Sequence, residues 1–347
     1  ERFDSRWHNG PSGERRAAGE PGLRVRQAAD GQIAGCDRHR RAVAGRGGGR
    51  NLPGHVAIAT DHGDGCRIRV STDLGTNWLT VADLGFGIND MLWLDRGGTP
   101  TILAAGTKGL YEIAMAPGAV PVPNLVDPTQ PDRGFHAVAA FTDVRGRVGV
   151  ALAAEAAGGV WLSASAGAPD SFRLVRPAGE EIRSLSVQYD GPRVFLWAPR
   201  AAPEGDGTGA ARLPIDELGA VDVPTMSGQW QELSKGWTGG SCWMVRVIGT
   251  TAFAASQSSG ILALELGTAD PTWVAPDVNC GLPLRDRRRF TALSSVSGTV
   301  LDNGDRLVLA AGAAGVHRSV DGGERWRPCA ARVVDDVVTL PPSWLFC

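Results

Sequence analysis

Lysine is almost missing from this chain: only Lys108 and Lys235 stand among its 35 basic residues, and the rest are arginine. That bias reads as a GC-rich coding sequence rather than as a functional signal. With 37 acidic residues the formal net charge is -2, so there is no global attraction to nucleic acid or to an anionic membrane. No apolar run approaches the roughly 18 residues that a spanning helix needs, and no transmembrane segment is expected. The sequence has no G-x-S-x-G, no H-E-x-x-H, no phosphate loop and no dinucleotide fingerprint, so the common nucleophile, metalloprotease and nucleotide readings lose their support and no cofactor is expected. Its six cysteines, Cys36, Cys66, Cys242, Cys280, Cys329 and Cys347, form no C-x-x-C pair. Zinc-ribbon and thioredoxin-type motifs are thereby excluded, while buried thiols and up to three disulfides both stay open. The chain begins at Glu1 without a methionine, which leaves its compartment open, and no feature of the sequence sets an oligomeric state.

What is present is a repeat. A small-residue strand followed by a glycine that opens a second strand occurs four times: Leu103-Ala104-Ala105 before Gly109, Leu152-Ala153-Ala154 before Gly159, Phe253-Ala254-Ala255 before Gly260, and Leu309-Ala310-Ala311 before Gly315. Taking Ile58, Leu103, Leu152, Leu196, Phe253 and Leu309 as matching points, the units are 44 to 57 residues long, the size of a four-stranded propeller blade. Inner strands are expected at 88–95, 135–143, 182–189, 242–248 and 290–296, with second strands at 101–105, 148–154, 194–198, 251–255 and 306–311. The connection 199–214 reads as an insertion, and Asp302-Asn303-Gly304-Asp305 as a hairpin turn.

The ends differ. Residues 1–50 hold eleven arginines among few large apolar residues, a mixture read as a disordered or poorly packed lead, with a basic arm as the functional alternative. Residues 51–347 form the repeat body. Its first unit lacks an inner strand, and 333–340 aligns with 88–95, so the C-terminal strand is expected to complete the N-terminal blade. The fold class is therefore all-β, a single propeller of four-stranded antiparallel blades, six in number, or seven if part of the lead folds as a worn blade.

Two loops share a signature. Ser71-Thr72-Asp73-Leu74-Gly75-Thr76-Asn77-Trp78 and Ser319-Val320-Asp321-Gly322-Gly323-Glu324-Arg325-Trp326 both read S-x-D-x-G-x-x-W between third and fourth strands. Aspartate can accept N–H groups of its own turn, glycine permits positive φ, and tryptophan can pin the hairpin. With these loops the chain resembles the Asp-box, or bacterial neuraminidase repeat, β-propellers over about residues 55 to 340. That superfamily includes sialidases, xyloglucan-cleaving glycosidases, sortilin-type receptors and photosystem II assembly factors. A degenerate copy stands at Ser163 to Gly167 with Phe172 in the aromatic place, and Trp230 and Trp273 keep the aromatic alone. The resemblance implies that Ser71, Asp73, Gly75, Trp78, Ser319, Asp321, Gly323 and Trp326 are structural, and that the working face is the opposite one.

That face is built from loops joining fourth to first and second to third strands. Asp61, His62 and Asp64 place two carboxylates beside an imidazole, a set able to hold a divalent ion or to make a solvated turn. Arg285, Arg287, Arg288 and Arg289 offer guanidinium forks for a carboxylate, phosphate or acidic peptide, with a plain exposed loop as the other reading. Lys108 and Trp237 are further binding candidates, and Glu155, Glu180 and Glu181 are the candidate acid and base carboxylates. A sialidase also needs an arginine triad and a Tyr–Glu pair, and only Tyr111 and Tyr189 are available, neither expected on the working face. The favoured reading is a non-catalytic module that binds a protein, peptide or glycan. A glycoside hydrolase, sialidase-like or using paired carboxylates, is the alternative.

Overall fold

The computed structural model describes residues 56–62, 65–73, 75–126, 132–202, 207–216 and 228–329, together with short strands at 26–27, 33–34, 42–47, 332–334 and 337–339. Within them the chain is all-β, arranged as consecutive antiparallel units. The first contains Val56–His62, Gly65–Ser71 and Leu79–Leu84; the second Ile88–Arg96, Thr99–Gly106, Gly109–Ala114 and Pro123–Leu125. The third contains Phe135–Thr142, Val148–Ala154, Val160–Ser163 and Phe172–Arg176; the fourth Ser186–Asp190, Arg193–Pro199, Ala210–Pro214 and Gln231–Leu233. The fifth has Cys242–Ile248, Thr251–Ser256 and Ile261–Glu265, and the sixth Leu293–Val300, Arg306–Gly312, Gly315–Ser319 and Arg327–Pro328.

The repeated phrase has a backbone cause. Gly109, Gly159, Gly260 and Gly315 stand at φ 123°, 83°, 72° and 93°, where a side chain is strained. The preceding Ala-Ala pairs are completely buried in the second strands, where small side chains let the next sheet approach. The core lies between neighbouring units, the first two of which Ala42–Gly47 joins into one eight-stranded sheet. Leu92, Leu103 and Leu110 pack on Phe135, Val138 and Leu152, while Phe195 and Trp197 pack on Val245, Ala254 and Leu262. Phe253 and Ile261 likewise meet Leu293 and Val308. Asp90, buried between the second and third units, spends its carboxylate on the N–H groups of Met91 (3.0 Å) and Val138 (3.1 Å).

Three expectations are corrected. The place beside Val56–His62 is held by Ala42–Gly47 instead of the C-terminal strand: Ala42 to Ala44 pair antiparallel with Ile58 to Thr60, and Gly45 to Gly47 run parallel to Met91 to Trp93. Arg332–Val334 and Val337–Thr339 pair with each other. A short local closure costs less chain entropy than one spanning the whole repeat body. No pairing joins the sixth sheet to the first among the described residues. The fifth sheet has three strands rather than four, because Pro271 and Pro276 flank the fourth segment and leave only the Ala263–Val274 bridge. Finally, the 199–214 connection contains the third strand of the fourth unit, Ala210–Pro214; of that connection, 203–206 lie outside the described residues.

Candidate recognition face

Antiparallel strand order puts the 4→1 and 2→3 loops at one edge of every sheet and the S-x-D-x-G-x-x-W hairpins at the other. On the first edge, four inner strands begin with a β-bulge whose extra residue is Asn89, His136, Trp243 or Ser294. A bulge re-aims its side chain. In the fourth unit Arg183 occupies the corresponding stretch, which pairs with the second strand's end through the isolated Glu181–Ala201 bridge. These side chains couple one unit to the next. Asn89 donates to Phe135 O (2.9 Å) and to Glu155 Oε1 (2.6 Å); His136 Nε2 lies 2.6 Å from Glu181 Oε1; and the Arg183 guanidinium covers the Trp243 ring at 5.3 Å. Ser184 adds a bond to Trp243 O (2.8 Å).

Glu155 and Glu181, both candidate carboxylates, thus converge on one imidazole. His136 Nδ1 is 3.8 Å from Glu155 Oε1, and Glu181 also accepts the Ala157 N–H at 2.9 Å and lies 3.4 Å from Arg183 Nε. Burial pushes the Glu181 carboxyl up, but the Ala157 N–H, the His136 bond and charge, and Arg183 outweigh it and leave the group below its ordinary value. Glu155 fits because residue 134 is glycine, where a Cβ would overlap Glu155 Oε2. The loop after Glu155 holds two successive non-glycine residues in the left-handed region, Ala156 (φ 52°) and Ala157 (φ 54°). The sequence reading missed His136, Asn89 and Arg183; their only signal is their place at the first turn of the inner strands.

Glu180 goes elsewhere. It joins Glu232 in a cage with Arg176 and Arg200, where Arg176 Nε donates to Glu180 (2.8 Å), Arg176 Nη1 to Glu232 (3.1 Å), and Arg200 also reaches Glu180 (3.3 Å). The two arginine side chains are 9% and 8% exposed, so this charge-balanced cage ties the third unit to the fourth.

Trp237 is half-buried: its indole N–H donates to Gly240 O (2.7 Å) and its ring meets Trp273 edge-on at 5.4 Å. Arg285 to Arg289 form a closed turn in which Asp286 accepts the N–H groups of Arg288 and Arg289 (both 2.9 Å) and pairs with Arg289 Nε (2.7 Å). Those backbone bonds, then Arg289, hold the Asp286 carboxyl below its usual value. Arg285, Arg287 and Arg288 are exposed and make no ion pair among the described residues. Lys108 is exposed at the 2→3 turn of the second unit. Asp61 lies in the first unit opposite Cys66, whereas the His62 side chain and Asp64 lie outside the described residues. Among the described residues no three His, Cys, Asp or Glu side chains gather as a metal site.

The opposite edge carries the hairpins. Ser71 Oγ donates to Asp73 (2.8 Å) and accepts Gly75 N–H (2.7 Å), Asp73 accepts Asn77 N–H (2.8 Å), and Trp78 Nε1 donates to Gly75 O (3.0 Å). The second copy repeats this through Ser319, Asp321, Gly323, Arg325 and Trp326, with Gly323 N–H on Ser319 at 2.8 Å and Trp326 Nε1 on Gly323 O at 2.9 Å. In the degenerate copy Ser163 still accepts Gly167 N–H (3.0 Å), and the Ser171 hydroxyl (2.6 Å) stands where the aspartate would. Trp230 and Trp273 donate to Val175 O and Leu233 O (both 2.8 Å), so each pins its segment to the preceding unit. Tyr189 accepts Thr142 N–H (3.1 Å), and Tyr111 packs on Phe86 at 4.9 Å.

By sequence the chain matches no protein family and no curated protein. By structure it resembles the GH74 enzyme of Niastella koreensis, with a TM-score of 0.54 and 13% identity over 79% of this chain and 44% of that one. It also resembles YCF48 bound to D1 peptide, with a TM-score of 0.51 and 12% identity over 85% and 86% of the two chains. The chain thus spans less than half the length of the GH74 enzyme and most of YCF48. These likenesses define the fold class, a β-propeller, and at such identities they define the fold alone.

Proposed function

We propose that this protein is a non-catalytic, single-ring β-propeller of the Asp-box kind, with six blades, that recognises a protein, peptide or glycan through the face opposite its S-x-D-x-G-x-x-W hairpins. The observation that carries this reading is the commitment of the face's carboxylates. Glu181 is bonded to His136 and Ala157, Glu155 to Asn89, and Glu180 to Arg176 and Arg200. A glycosidase needs one carboxyl with a raised pKa to act as general acid, and Glu181 is shifted the other way. Loops held by such bonds lower the ordering cost of binding. The exposed Arg285, Arg287 and Arg288 suit a ligand bearing carboxylate or phosphate, and YCF48, of similar fold, is bound to a peptide in its solved structure.

The hydrolase alternative draws on one feature, the meeting of Glu155 and Glu181 at His136. A panel of fluorogenic sialosides and glycosides separates the two readings. No turnover above buffer is expected; turnover lost in Glu155→Gln or Glu181→Gln would establish the hydrolase.

A further inference from the structure

The imidazole of His136 stands between two carboxylates carried by different elements, and the loop supplying one of them has a strained backbone. We infer that His136 is a proton-operated latch on the recognition face, which holds the loop Glu155-Ala156-Ala157-Gly158 in its left-handed conformation when charged and releases it when neutral.

The geometry sets the direction. Nε2 is 2.6 Å from Glu181 Oε1 and Nδ1 is 3.8 Å from Glu155 Oε1. Imidazolium carries an N–H on each ring nitrogen and a full charge: it donates to Glu181 across 2.6 Å and attracts Glu155 by charge alone across 3.8 Å. A neutral ring has one N–H and no charge, so the attraction on Glu155 is lost in either tautomer and Glu181 is weakened to a neutral hydrogen bond or faces a lone pair. Both carboxylates hold the loop: Glu155 opens it, and Glu181 binds its Ala157 N–H at 2.9 Å. Ala156 and Ala157, at φ 52° and 54°, hold a costly conformation, which the backbone bonds Gly158 N–H to Glu155 O (3.0 Å) and Gly179 N–H to Ala157 O (2.9 Å) support beside the carboxylates.

Other polar and charged groups stand around the imidazole. Asn89, from the second unit, is neutral and bonded to Glu155; the Arg183 guanidinium lies 3.4 Å from Glu181; and Asp90 is buried, bonded to Val138 N–H on the strand of His136. Glu181, held below its ordinary value, stays ionised wherever an imidazole titrates.

The latch is read from the loop itself, so it stands or falls apart from the binding function proposed above. The test is amide exchange of Ala157 and Gly158 in the whole protein, corrected for intrinsic base catalysis, beside the NMR titration of the His136 ring. Protection should fall on the order of tenfold from pH 5 to pH 8, tracking the ring, because an opposite charge a few ångströms away moves such an equilibrium by that much. His136→Gln, uncharged at every pH, should show no step. Ala156→Gly, which removes part of the strain, should flatten the step by keeping the loop protected at pH 8. Flat protection in the wild type through the ring's titration, or a step that survives in His136→Gln, would overturn the latch.

Discussion

At the scale of the residue, single atoms decide whether the loops fit. Gly134 leaves room for the Glu155 carboxylate, so Gly134→Ala should expel it and cost about 1–3 kcal/mol in a denaturant titration. Ser319 is buried, donates to Asp321 and accepts Gly323 N–H; Ser319→Ala should cost about 1–2 kcal/mol. Titration adds a direction. Asp73 is held low chiefly by Asn77 N–H; Asp321 is pushed up by burial but brought below its usual value by Ser319 and Arg325. A depressed carboxyl stabilises the fold above its unfolded value of about 4, and that stability is lost as pH falls through the folded value. His317, whose buried Nδ1 has no partner among the described residues, is also shifted down by burial. It favours the fold above about pH 6.5 and weakens it below. Melting temperature should therefore decline in two stages on acidification, and His317→Phe should remove the earlier one. Burial pushes the Cys66 thiol up to about 12 and raises Cys242 further; Cys66, Cys242, Cys280 and Cys329 are all free thiols, while Cys36 and Cys347 lie outside the described residues. Cys66 and Cys242 should resist thiol reagents until the protein unfolds.

At the scale of the element, the units are joined by polar side chains as well as by their apolar faces. The cage of Arg176, Arg200, Glu180 and Glu232 is the clearest joint. Arg200→Met should cost about 1–2 kcal/mol, less than a fully buried pair, because the two glutamates are 40% and 48% exposed. Much of this level was legible in the sequence. The strands Val148–Ala154 and Cys242–Ile248 lie at 148–154 and 242–248 as expected, because runs of apolar and β-branched residues with glycines nearby set them. Where the reading slipped, burial misled it. Ile182 and Leu185 are buried although the strand starts only at Ser186, and Phe290 is buried in an isolated bridge before Leu293. Apolar residues of a loop that points inward look the same in sequence as those of a strand. Ala210–Pro214 was hidden by the Gly/Asp-rich stretch before it, and the fifth unit's missing strand was written in Pro271 and Pro276, whose lack of N–H groups stops the ladder.

At the scale of the whole molecule, two edges of the same sheets differ in what they carry. One holds hairpins whose serine, aspartate and tryptophan bond within their own turns; the other presents a row of bulged residues and an exposed arginine loop. Glu155 and Glu181 were identifiable as residues of the edge opposite the hairpins, but their meeting at His136 was not, since it depends on contacts between consecutive units. Recognition by that edge is tested most directly by probing peptide and glycan arrays with the wild type, with the triple variant Arg285→Ser, Arg287→Ser, Arg288→Ser, and with the hairpin-edge variant Asp302→Ser, Asp305→Ser. The account predicts a defined set of bound ligands that the triple variant loses and the hairpin-edge variant keeps. Ligands lost with the hairpin-edge variant and retained by the triple variant would contradict it.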